Sequence, residues 1–201
     1  YLKNDTLISN GKGSVVSCAY VTNLYAFDTK VYNGTYGFNF TTGWATIENC
    51  VVSGNSISGI CAQSMNSLTL KNNVIGLDES LSKLYSNGVG LEVSGCSSLI
   101  IDNNVISGNL GDGFKLTCNP NLIKVTNNYI GTNKKFQDCG NGGDGIFMRV
   151  VNGAPSINPS SYENANFIGF NKGNGISTAN YDSEITHNYI GVSLLGDAMP
   201  N

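Results

Sequence analysis

The stretch Asn33–Asn55, NGTYGFNFTTGWATIENCVVSGN, lies without a gap on Asn87–Asn109, NGVGLEVSGCSSLIIDNNVISGN. Inside it sits a shorter signature: an asparagine-type position, two apolar or aromatic residues, and a small residue. The signature occurs seven times: Asn23-Leu24-Tyr25-Ala26, Cys50-Val51-Val52-Ser53, Asn73-Val74-Ile75-Gly76, Asn104-Val105-Ile106-Ser107, Asn128-Tyr129-Ile130-Gly131, Asn166-Phe167-Ile168-Gly169 and Asn188-Tyr189-Ile190-Gly191. The intervals run from 22 to 38 residues. Recurrence on that scale marks stacked supersecondary units.

Each unit reads as a Gly-rich turn, a short strand, a variable loop, a second strand, the Asn position and a third short strand. No segment holds apolar residues at helical spacing for ten residues. The runs are short, β-branched and of period two, bounded by Gly, Asn, Asp and Ser, which signals strands. One such unit cannot bury its own apolar face, but a stack can, with equivalent side chains about 4.8 Å apart. The expected inward stack is Tyr25, Val52, Ile75, Ile106, Ile130, Ile168 and Ile190, begun by Ile8. Asn23, Asn73, Asn104, Asn128, Asn166 and Asn188 are expected to form a ladder at a tight turn. There an amide can bond the backbone and its own equivalents, and Asn tolerates a left-handed backbone. Cys50 is expected to interrupt the ladder.

The blocks NVISGN (Asn104–Asn109), GDGF (Gly111–Phe114), NNYIGT (Asn127–Thr132), GDGI (Gly143–Ile146) and NYIG (Asn188–Gly191) resemble the right-handed parallel β-helix proteins of the pectate-lyase-type coil. They look most like large secreted or surface proteins built from such repeats. The resemblance implies an all-β, right-handed, single-stranded parallel β-helix of about seven to eight coils. Residues 1–201 then form one domain, with both ends cut within the repeat. The architecture hosts lyases, hydrolases, tailspikes, adhesins and inert rods, so it leaves activity open.

Charged residues make up 12% of the chain and the net charge is −3. With one Arg (Arg149) and one His (His187), no basic footprint for nucleic acid or anionic lipid is present. No apolar run is long enough to span a membrane. Six cysteines without zinc-type spacing favour an oxidising compartment, hence a secreted, extracellular or cell-surface location. Cys96 and Cys118 follow equivalent strands in adjacent coils and are expected to form a disulfide; two unpaired turn cysteines are the alternative. Cys50–Cys61 is a second candidate pair, and Cys18 and Cys139 are left unassigned. Three sequons, at Asn4, Asn33 and Asn39, are candidate glycosylation sites. Asn33 falls in a turn and Asn39 on an outward strand position.

Catalytic groups of the family would project from one sheet in neighbouring coils. The outward row there is expected to be Asn39, Cys61, Glu92, Lys115, Phe147 and Ser177, which carries no paired acids at glycosidase spacing. Glu92 and Lys115 read as a cross-strand ion pair on a solvated face. Asp112, Asp144 and Asn174 fit turn chemistry better than calcium, and His187 reads as a turn residue. No cofactor is expected. A second row, Val74, Val105, Tyr129, Phe167 and Tyr189, is either an outward contact stripe or a set of residues tucked against adjacent coils.

These features point to a non-catalytic, glycosylated extracellular rod. Its expected partners are other copies of itself or the rest of a longer chain, assembled end to end into a filament. A carbohydrate-binding or adhesin module using the aromatic row is the alternative. A carbohydrate-active enzyme would need Glu92, Asp102 or Asp78 to converge.

Overall fold

A computed structural model of the chain describes residues 1–149, 153, 155–179 and 182–201. Short strands separated by Asn- and Gly-centred turns wind into three parallel sheets. The first contains Leu2–Lys3, Val21–Phe27, Gly43–Glu48, Met65–Lys71, Cys96–Asp102 and Leu122–Thr126. The second contains Thr6–Ile8, Lys30–Tyr32, Val51–Ser53, Val74–Ile75, Val105–Ile106, Tyr129–Ile130, Phe167–Ile168 and Tyr189–Ile190. The third contains Val16–Cys18, Tyr36–Phe40, Ser58–Ala62, Val89–Val93, Phe114–Leu116, Ile146–Met148 and Ile176–Thr178. Each strand pairs with its equivalent one coil away, so this is an all-β parallel β-helix. A parallel bridge between Ile157 and Ile185 continues the first sheet into the last coils.

The core is a column of stacked equivalents. From the third sheet, Phe38, Ile60, Leu91, Phe114 and Ile146 lie in register, all fully buried. From the first sheet, Ile47, Leu70, Ile101 and Val125 do the same. From the second come Val52, Ile75, Ile106, Ile130 and Ile168, as the sequence predicts, whereas Ile190, in register after them, is exposed rather than buried because it ends the stack. Fully burying one such aliphatic side chain contributes about 1.5–3 kcal/mol.

The first coil departs from the expected alignment. Val31 pairs with Val52, and Leu7 pairs with Val31, so these two residues begin the inward stack. Tyr25 instead pairs with Thr46 on the outer face of the first sheet, where its ring stacks on Tyr1 at 5.1 Å. Ile8 is 66% exposed. Asn23 lies exposed within Val21–Phe27 and belongs to no ladder. The Asn23-Leu24-Tyr25 match was coincidental, because Thr29 fills the ladder place. Its buried hydroxyl donates to Phe27 O at 2.9 Å, the local bond that an amide makes at that position in later coils.

Glycine is required where the coils approach most closely. A Cβ on Gly113 would lie 2.7 Å from Gly145 O and 3.1 Å from Ile130 Cγ2. The second glycine of each GDG turn thus leaves room for the isoleucine stack. No helix among the described residues is long and apolar enough to cross a membrane.

Candidate functional site

The polar interior comes first, because it fixes what faces outward. Asn73, Asn104, Asn128, Asn166 and Asn188 form the expected ladder between the first and second sheets. Asn73 Nδ2 donates to Asn104 Oδ1 at 2.9 Å, Asn104 Nδ2 to Asn128 Oδ1 at 3.0 Å, Asn128 Nδ2 to Asn166 Oδ1 at 2.9 Å and Asn166 Nδ2 to Asn188 Oδ1 at 2.8 Å. Each amide also donates to a first-sheet carbonyl of the preceding coil, as Asn104 Nδ2 does to Leu70 O at 3.0 Å. Each Oδ1 from Asn73 to Asn166 accepts the backbone N–H of the equivalent residue one coil back.

Cys50 continues this pattern weakly rather than cutting it. Its N–H donates to Asn73 Oδ1 at 2.9 Å, and its thiol points at Glu48 O (3.3 Å) and Ala26 O (3.6 Å). The left-handed backbone sits one residue earlier than the sequence suggests. Positive φ occurs at Asn4, Asp28, Asn49, Asn72, Asn103, Asn127 and His187, not at the ladder residues. His187 is therefore a turn residue, as expected.

A second ladder runs along the other edge of the second sheet. Asn55 Nδ2 donates to Asn87 Oδ1 (2.8 Å), Asn87 to Asn109 (3.0 Å), Asn109 to Asn141 (2.9 Å), Asn141 to Asn171 (2.9 Å) and Asn171 to Asn201 (2.8 Å). Sequence reasoning missed it, although Asn55 and Asn109 close the two SGN blocks. A third chain of bonds holds the GDG turns. Asp112 Oδ1 accepts the Asp144 N–H at 2.8 Å, and Asp144 Oδ1 accepts the Asn174 N–H at 2.6 Å. Their acidic oxygens serve the turns, and no group of three metal-ligating side chains occurs among the described residues.

The outward row of the third sheet is in the predicted register: Asn39, Cys61, Glu92, Lys115, Phe147 and Ser177 follow one another across successive strands. Lys115 Nζ donates to Glu92 Oε1 at 2.9 Å. Glu92, Asp102 and Asp78 do not converge. Glu92 lies on the third sheet, Asp102 ends a first-sheet strand, and Asp78 opens a loop beyond the second sheet.

The cysteine expectations are corrected. All six cysteines are free thiols. Cys96 and Cys118 are neighbours across two coils but unbonded, and Cys96 Sγ points to Ser98 O at 2.9 Å. Cys50 and Cys61 have different surroundings, the ladder turn and the outer face of the third sheet, and their thiols share no partner. Burial pushes the Cys50 and Cys96 thiols up to about 11. Of the sequon residues, Asn4 is exposed, Asn39 is half-buried and faces outward, and Asn33 Oδ1 accepts a hydrogen bond from the Tyr85 hydroxyl.

The row Val74, Val105, Tyr129, Phe167 and Tyr189 is in register on the second sheet and divides into two halves. Val105 is buried, a correction to its place in the contact stripe, because loops close over it. Three loops share one design, at residues 77–84, 132–138 and 192–198, each closed by an antiparallel bridge. Asp78, Asn133 and Ser193 organise them. Asp78 Oδ1 accepts the Ser82 and Lys83 N–H groups, Asn133 Oδ1 those of Lys135 and Gln137, and Ser193 Oγ those of Leu195 and Asp197. The signal lay in the sequence, since each of these residues stands two after Gly76, Gly131 or Gly191. Leu77, Cys139 and Leu81 pack on Val105.

The aromatic half stays at the surface. Tyr129 stacks on Phe167 at 5.3 Å, and Phe167 on Tyr189 at 4.9 Å with the rings 6° from parallel. These faces are used by one another, so mainly edges point outward. Phe136, at positive φ in the middle loop, sits edge-on to Phe167 at 5.0 Å. Beside this stack lies a cleft of about 630 Å³ lined by Asn72, Asp102, Asn103, Asn127, Tyr162 and Glu163 together with the aromatic edges. Burial raises the Tyr129 hydroxyl above the ordinary tyrosine value, so it stays protonated at neutral pH.

Against known proteins, a family model described as right-handed beta helix region matches residues 14–190. Neither the search of curated proteins nor that of solved structures returned a match.

Proposed function

Since the chain belongs to the right-handed β-helix family, we propose that it is a non-catalytic structural module of that family: a stiff rod in a secreted or surface assembly, made with its own copies or with a longer chain. The observation that carries this reading is the pair of buried Asn ladders, five and six amides long, clamping the two edges of one sheet. They put polar side chains into rigidity along the axis. The eight strands of that sheet extend over about 34 Å at ordinary strand spacing. The outward row of the third sheet supports the same reading, since its charge is one ion pair whose Lys115 and Glu92 side chains are 34% and 26% exposed.

Glycans on Asn33, Asn39 and Asn4 belong to this proposal. Asn33 offers its Nδ2 beside a bonded Oδ1, and Asn39 faces out of the third sheet.

The test incubates the purified chain with a panel of uronate and neutral polysaccharides, following unsaturated products and new reducing ends. No turnover, together with rod-shaped particles by negative-stain microscopy, is the expected result. Cleavage of any panel member that is lost on Glu92→Gln or Asp102→Asn overturns the structural reading.

A further inference from the structure

We propose that the cleft beside the aromatic stack binds an oligosaccharide of free amino sugars, a glucosamine-type chain carrying protonated amines. The inference gives the rod a ligand and does not depend on its structural role.

The cleft is rich in acceptors. Among the described residues, Asp102 and Glu163 are the only charged ones lining it. Asp102 Oδ1 is held by the Thr126 hydroxyl at 2.7 Å and Asn127 Nδ2 at 2.8 Å, which fixes the carboxylate and leaves Oδ2 for a ligand. Asn103 Nδ2 donates to Asn72 Oδ1 at 2.7 Å, so the turn row presents Asn103 Oδ1 and Asn127 Oδ1 as further acceptors. These side chains are presented because their residues adopt the left-handed turn, with φ of 57° at Asn72, 55° at Asn103 and 59° at Asn127. Their amides stand one residue before the ladder and outside it.

Acceptors that outnumber donors suit a ligand rich in hydroxyls and ammonium groups. Two carboxylates without a lining cation repel a uronate chain and attract an amine. The ring of Tyr162 is 59% exposed. It meets His187 edge-on and lies tilted against Tyr189, which leaves a ring face for the apolar side of a pyranose or for an ammonium group. The volume of about 630 Å³ falls within the ordinary range for ligand clefts.

The experiment is calorimetric titration of the intact chain at pH 5.5, where carboxylates are ionised. The probes are a glucosamine hexamer, its fully N-acetylated counterpart, a galacturonate hexamer and spermine. The hexamer with free amines should bind, and the other three should bind at least tenfold more weakly or not at all. Glu163→Gln should weaken the free-amine hexamer about tenfold, the worth of one charge-assisted hydrogen bond, and Asp102→Asn should do likewise. Thermal unfolding of each variant shows whether it is folded, and the exposed Glu163 position keeps the test open if Asp102→Asn is not. No binding of the free-amine hexamer overturns the proposal. So does equal binding of the acetylated hexamer or of spermine, or an affinity that Glu163→Gln leaves unchanged.

Discussion

Replacing Asn104 by Ala removes the centre of the first ladder. The structure says which groups lose partners. Asn104 Oδ1 is the acceptor for the Asn73 backbone N–H at 2.9 Å and for Asn73 Nδ2 at 2.9 Å. Asn104 Nδ2 serves Leu70 O, Asp102 O and Asn128 Oδ1. After truncation Asn73 Nδ2 keeps Ile47 O, and Asn128 Oδ1 keeps the Asn104 N–H. The Asn73 N–H and Leu70 O lose bonds in a site from which water is excluded, since Asn73 is 1% and Asn104 0% exposed. One orphaned buried group costs about 1–3 kcal/mol, and since Leu70 stays paired with the next coil through the strand ladder, the Asn73 N–H sets the loss at about 1–3 kcal/mol. Asn23→Ala is the matched control. The sequence signature treats the two positions alike, but the structure leaves Asn23 exposed on the first sheet, and surface changes stay within about 0.5 kcal/mol. Urea unfolding followed by circular dichroism gives both midpoints. Equal losses for the two variants, or a loss at Asn104 below about 1 kcal/mol, would refute the ladder argument.

Further outcomes follow from the packing and the charges. Gly113→Ala places a methyl 2.7 Å from Gly145 O and should cost about 1–3 kcal/mol by overpacking, read from the same urea midpoints. The Cys50 and Cys96 thiols, raised by burial to about 11 from an unfolded value of 9.0, hold their protons more tightly in the folded state. Their contribution is complete below pH 9 and lost as pH rises from 9 to 11; midpoints across that window should fall less steeply in Cys50→Ala than in the parent. A double-mutant cycle on Glu92 and Lys115 should give a coupling of at most about 1 kcal/mol, because both side chains are partly solvated.

Much of the fold was legible because equivalent residues must overlie one another in a solenoid. The isoleucines of the NxI signature, the outward row from Asn39 to Ser177 and the ladder from Asn73 to Asn188 follow from that single constraint. Where the reading failed, another residue had taken the expected role. Thr29 bonds through a hydroxyl where later coils use an amide, so the search settled on Asn23, two residues into a strand that happens to carry Leu24 and Tyr25. The Cys96–Cys118 pair was inferred from equivalent positions in adjacent coils. Proximity does hold for Cys96 and Cys118, but the Cys96 thiol is turned to the Ser98 carbonyl.

The second ladder and the three loops were missed for a different reason, and together they explain the shape of the cleft. The signature was read outward from the NxI core, whereas Asn55, Asn87, Asn109, Asn141, Asn171 and Asn201 lie after it, across gaps whose length varies with the loop. In three of these coils the closing Gly and the second Asn are joined by a loop of the Gly76, Gly131 or Gly191 kind, and in the coil between the first two Gly108 leads straight to Asn109. The second ladder keeps both kinds of coil in register, because Asn87, Asn109 and Asn141 bond one another whether or not a loop intervenes. Each loop can then lean over a neighbouring coil that lacks one. Asn133 Nδ2 reaches back to Leu81 O at 2.9 Å, and Phe136 reaches forward onto Phe167. The first of these contacts helps to seal Val105. The second forms one wall of the cleft, so the surface most suited to a ligand is built by the irregular part of the repeat, while the regular part holds it rigid.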